Sequence, residues 1–149
     1  MTHSSDLVNL FLHLACIEGI SLHERSIANE VSTLLTHAGI RVMEDASAKT
    51  FCGTTGNLLC FPPGYRSDQP AVMLTAHLDT VKSTANLKPI VHSTSIRSDG
   101  TTILGADNRL GLSVLVRLLT DVAEGKTPNS NFFVVFTVGE ETGLFGAGS

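Results

Sequence analysis

At 149 residues, with 42% hydrophobic and 16% charged composition, the chain is long enough for one globular domain with a real core. A formal charge of -4 without a basic cluster argues against nucleic acid as a partner, because phosphate binding needs concentrated Lys and Arg. Cys16, Cys52 and Cys60 are odd in number and share no metal-type spacing, so they read as reduced thiols and not as a disulfide frame.

Met1 to Ser5 carries no Lys or Arg, and the apolar stretch that follows is broken by Asn9 and His13, so no signal peptide is read there. No run approaches the roughly 18 apolar residues of a membrane span. The expectation is a soluble, cytoplasmic protein without a membrane partner.

Leu7, Leu10, Phe11 and Leu14 recur at helical spacing, with Ser5 or Asp6 as the N-cap. Ser21 and Glu24 fit a capping box for a second helix, whose face is marked by Ile27, Val31, Leu34, Leu35 and Ala38 and whose stop is Gly39. Residues 41–44 and 56–61 read as strands, the second closed by Pro62-Pro63-Gly64. Residues 71–75 form a short run of the buried-strand type that delivers His77 and Asp79 at its end. Ser98-Asp99-Gly100-Thr101 signals a hairpin between two β-prone segments. Residues 108–123 predict a helix apolar on most faces, Leu112, Leu115, Leu118, Leu119 and Val122 among them, ended by Gly125 and Pro128. Residues 132–138 predict a second buried strand. The alternation implies an α/β fold with a mostly parallel mixed sheet flanked by helices.

In such sheets ligands collect at the carboxyl ends of strands, where His77, Asp79, Glu140 and Glu141 all fall, while Asp107 opens a helix. A histidine near a strand end is usually a surface or satisfied core residue, but Asp79 is two residues on. Strand alternation puts both side chains on one face, and a carboxylate beside an imidazole fixes its tautomer. Asp107 alone reads first as a helix cap, although a carboxylate there can also bridge two cations. Glu140-Glu141 follows an apolar run and precedes Thr-Gly-Leu-Phe-Gly-Ala, which is not the setting of a solvated helix face. Paired carboxylates in that position can divide metal binding from proton transfer.

Residues 75–81 (Thr-Ala-His-Leu-Asp-Thr-Val), 103–111 (Ile-Leu-Gly-Ala-Asp-Asn-Arg-Leu-Gly) and 137–144 (Thr-Val-Gly-Glu-Glu-Thr-Gly-Leu) resemble the three N-terminal motifs of the peptidase T-like zinc metallopeptidases. Gly56-Asn57-Leu58-Leu59 and the Ser98 to Thr102 segment resemble that family's framework. The resemblance implies that His77 binds one zinc and Asp79 orients it, that Asp107 bridges two metals, that Glu141 binds the other zinc, and that Glu140 is the general base. It implies hydrolysis of peptide bonds by zinc-activated water, aminopeptidase or tripeptidase-like, with two zinc ions per complete enzyme. Asn108 stands where the family more often has a second Asp.

The same resemblance implies a further carboxylate ligand, a second histidine and a lid or dimerisation domain, none of which is found here. His3, His13, His23, His37 and His92 all precede the glutamate pair. Residues 1–149 are therefore expected to be the N-terminal portion of a metallopeptidase catalytic domain, inactive alone. Two other readings stand beside this one. The chain could be a non-catalytic remnant serving as an interaction module. It could instead be an amidohydrolase or a tetrahedral-type aminopeptidase of the same superfamily.

Overall fold

A computed structural model describes residues 3–128 and 130–149. In chain order the elements are α1 (His3–Ala15), α2 (Arg25–His37), β1 (Arg41–Glu44), α3 (Ala48–Phe51), β2 (Leu58–Phe61), β3 (Val72–His77), β4 (Pro89–Val91), β5 (Ile96–Ser98), α4 (Ala106–Ala123) and β6 (Phe132–Thr137). Helix α1 begins before Ser5 and Asp6, so neither is its N-cap, and the residue ahead of His3 lies outside the described residues. Gly39 does terminate α2, at φ +82°, its N–H bonded to the Thr36 carbonyl.

The main sheet has the order β1-β2-β6-β3. It is mixed and flanked by helices, as expected, but the described strands are not mostly parallel. β1 pairs antiparallel with β2 and β2 antiparallel with β6, while β3 and β6 run parallel. The reason is connectivity: only the β3 to β6 connection contains a long helix, α4, and parallel neighbours need such a crossover.

Strand β6 is central and alternates buried with half-buried residues. Its Phe132, Val134 and Phe136 join Leu58 and Cys60 of β2, Val31 and Leu35 of α2, and Leu112, Val116 and Leu119 of α4 in one core cluster. β3 is an edge strand, so the expected burial of residues 71–75 is not found. Val72 and Met73 are exposed, and burial begins only at Ala76 and His77. Helix α4 buries Leu112, Leu119 and Val122 but half-exposes Leu115 and Leu118 and exposes Leu110 and Val114, so it is amphipathic and not buried all round.

The expected hairpin exists, with its turn in a different place. β4 and β5 pair antiparallel, and the chain reverses between His92 and Ser95, where the His92 N–H donates to the Ser95 carbonyl. Ser98 to Thr101 instead forms a tight turn after β5. Gly100 has φ +93° and the Asp99 carboxylate accepts from the Thr101 N–H and hydroxyl. The three cysteines are free, and burial pushes the Cys60 thiol up to about 12.

Candidate functional site

Parallel pairing of β3 with β6 sets His77 opposite Thr137, so both strands leave the sheet at the same edge. The Leu78 N–H donates to the Thr137 carbonyl and extends this pairing one step further. At Gly139 the chain turns with φ +61°, a conformation that costs glycine nothing. A Cβ there would also press on Phe145 and Leu22, at 3.2 and 3.4 Å. The turn brings the backbone N–H groups of Glu140 and Glu141 onto the two oxygens of Asp79, each at 3.1 Å.

Asp79 is fully buried and also accepts from the Ser21 hydroxyl at 2.6 Å. Burial alone would raise its pKa. The His77 contact, the Ser21 hydroxyl and the two backbone N–H groups outweigh burial and hold the carboxyl down at about 2. His77 Nδ1 lies 3.1 Å from the Asp79 carbonyl and 3.3 Å from its carboxylate. Both partners are acceptors, so Nδ1 carries the hydrogen and Nε2 faces outward.

Nε2 lies 3.1 Å from Asp107 Oδ1 and 3.8 Å from Glu140 Oε2. Burial opposes a charge on this imidazole, yet Asp79, Asp107 and Glu140 together lift it to about 9. Asp107 is 84% exposed at its side chain and sits where α4 is irregular, next to a cis Asp107-Asn108 peptide. Asp107 and Asn108 both depart from helical geometry, and the side chain that caps the regular turns is Asn108, whose Oδ1 accepts from the Gly111 N–H at 3.2 Å, so Asp107 is not the helix cap. Its carboxylate is left free to face His77.

His77, Asp107 and Glu141 each offer a ligand atom, and these atoms lie within 4.8 Å of one another. One imidazole nitrogen with two carboxylates is a donor set that suits a divalent cation. Burial raises the Glu141 carboxyl; His77 opposes this, and Asp107, Glu140 and Asp79 add to it. The structure thus brings together all of His77, Asp79, Asp107, Glu140 and Glu141. His13 is remote from them and pairs with Glu30 on the surface at 2.7 Å.

The expected capping box does not form. Ser21 bonds Asp79, and Glu24 makes no cap bond although it stands at the N-cap position of α2. Glu24 is instead fully buried, its Oε1 accepting from the Leu22 N–H and the Gly139 N–H, each at 2.9 Å. Arg109 is a second residue that sequence reasoning passed over. It is fully buried beneath the site, donating to the Leu78 carbonyl and, at 3.1 Å, to the Ile17 carbonyl. Burial lowers its pKa to about 10, while Asp79 and Glu24 support its charge. The available signal was an arginine directly after Asp107-Asn108, in the first turn of α4 and next to its apolar run.

Residues 58–149 match peptidase family M28. Over 147 residues the chain is 32% identical to the uncharacterized Bacillus subtilis protein YqjE, covering 99% of this chain and 39% of that one. A tripeptidase from Staphylococcus aureus superposes with TM-score 0.88 at 38% identity, covering 99% of this chain and 40% of that one. The aminopeptidase PepT from Bacillus cereus superposes with TM-score 0.90 at 33% identity, covering 99% and 39%. The chain therefore spans about two fifths of the length of these relatives, at 39–40%. Among the described residues no helix is long and apolar enough to cross a membrane. By its matched residues the chain belongs to peptidase family M28, a family of hydrolases, and it is peptidase T-like in sequence and fold.

Proposed function

We propose that this chain is the N-terminal portion of the catalytic domain of a cytoplasmic, zinc-dependent aminopeptidase acting on short peptides, tripeptides among them. The observation that carries the proposal is the convergence of His77, Asp107 and Glu141 to within 4.8 Å at one sheet edge. The names of the solved relatives, a tripeptidase and an aminopeptidase, supply the substrate class.

His77 Nε2, Asp107 and Glu141 would hold zinc, with Asp107 shared between two ions. When bound, zinc polarises a peptide carbonyl and lowers the pKa of water towards neutrality. Asp79 keeps Nδ1 protonated, so that Nε2 is the nitrogen that would give up its proton and offer its lone pair to the metal. Glu140 lies 3.8 Å from His77 and points into the same space without belonging to the ligand group. That placement suits a carboxylate that takes a proton and later returns it to the departing amine.

The test is a full-length product carrying this chain. Zinc content near two per chain is expected, and Glu140→Ala should abolish tripeptide hydrolysis while metal stays bound. Turnover retained in that variant would overturn the role given to Glu140. The 149-residue chain alone is expected to hydrolyse no peptide at a measurable rate.

A further inference from the structure

Residues 19–24 do more than connect α1 to α2. The Thr80 N–H donates to the Gly19 carbonyl at 3.0 Å, and Ile20 bridges Thr80 in parallel, so the segment lies along the exit of β3. Leu22 then adopts φ +68°, which turns the chain between Ser21 and Glu24. From this one turn, two side chains reach the two halves of the site. Ser21 Oγ donates to Asp79 Oδ2 at 2.6 Å, and Glu24 Oε1 accepts from the Gly139 N–H at 2.9 Å.

Neither contact is needed to start α2, whose first turn closes through the Glu24 backbone carbonyl. Burying a carboxylate is costly; the nearby Arg109 charge offsets part of that cost, and Glu24 Oε2 has no hydrogen-bond partner among the described residues. What Glu24 alone reaches is the residue directly before the glutamate pair, across 115 positions of sequence. With the Asn57 bond to the Val138 N–H and the Phe145 N–H bond to the Gly139 carbonyl, the Glu24 bond holds the direction in which the chain leaves β6 and so where Glu140 and Glu141 stand relative to Asp79.

We propose that Ser21 and Glu24 are positioning residues, which set the Asp79 carboxylate and the Gly139 turn so that His77, Asp107 and Glu141 converge and Glu140 faces them. Their effect on metal rests on the function proposed above, whereas their effect on the Gly139 turn does not. Two readouts on a full-length product carrying this chain separate these parts.

The first is amide hydrogen exchange followed residue by residue. Glu24→Ala should speed exchange at Gly139, Glu140 and Glu141 by about tenfold or more, with Val134 and Leu119 in the core unchanged. Ser21→Ala, a milder change, should speed exchange at Glu140 and Glu141 through Asp79. Glu24→Gln, whose amide oxygen can accept both N–H bonds, should restore protection.

The second readout is cobalt(II) titration by absorbance, where Glu24→Ala and Ser21→Ala should weaken binding by about tenfold and Glu24→Gln by much less. Unchanged exchange at residues 139–141 in both alanine variants would overturn the inference. So would a uniform loss of protection that includes the core, since Glu24 would then serve stability alone. A parent chain that binds no cobalt would count against the metal reading only, and exchange would still decide the positioning role.

Discussion

Asp79 shows how much local structure one buried carboxylate can organise. It steadies His77, takes the Ser21 hydroxyl, and receives both backbone N–H groups of the glutamate pair. Asp79→Asn would keep the size but turn a donor towards donors, so both metal affinity and thermal stability should fall together. A melting curve and a cobalt titration on one preparation check this. A second carboxylate, Glu44, gives the pH dependence at this scale. The two-pronged hydrogen bond from Arg25, at 2.8 Å on each oxygen, holds Glu44 down at about 2, with burial opposing. Its folded pKa lies below the ordinary value of 4.5, so its stabilisation is present above that value and is lost as pH falls towards about 2. Urea midpoints of the parent chain and Glu44→Gln should therefore differ at pH 6 and converge near pH 2, and a constant difference would contradict the assignment. The motif residues were legible because each motif carries an unusual polar group beside an apolar run. Ser21 and Glu24 were not, because their spacing is also that of a capping box, and only the fold shows that their side chains point at the site.

At the scale of elements, positions along the chain were easier to read than environments. The strand at residues 132–138 and the helix from Asn108 were recognisable from apolar runs and periodicity. Burial was not, because Val72 and Met73 look like core residues until β3 is seen to be an edge. The β4-β5 turn was misplaced because Asp99-Gly100 is the stronger local turn signal, while His92 to Ser95 carries no glycine. Core elements should respond as packed ones do: Phe136→Ala, removing a fully buried ring from β6, should cost about 3–5 kcal/mol in chemical denaturation. Asn57 joins elements by a different route. Its Nδ2 donates to Asp45 and to the Gly146 carbonyl, and its Oδ1 accepts from the Val138 N–H. That ties the start of β2 to the chain on both sides of the glutamate pair. Asn57→Ala should cost about 2–3 kcal/mol, because it strands the buried Val138 N–H. A loss below about 0.5 kcal/mol would show that the tie contributes little.

For the molecule as a whole, the sheet edge is what assembles the site. The parallel pairing of β3 with β6 delivers His77 and the glutamate pair to one end, and the irregular start of α4 brings Asp107 across from a separate element. The α/β class was legible from alternating helices and strands, but the balance of parallel and antiparallel pairing was not. Strand order depends on which elements share a crossover, and periodicity does not encode that. The central proposal is that three residues from three separate segments would hold a cation while Glu140 stays free beside it. Cobalt(II) titration of a full-length product carrying this chain, read by absorbance and calorimetry, tests this directly. His77→Ala, Asp107→Ala and Glu141→Ala should each weaken binding by about tenfold or more, and Glu140→Gln by less than about threefold. Binding that is unchanged in His77→Ala, or lost equally in Glu140→Gln, would contradict it.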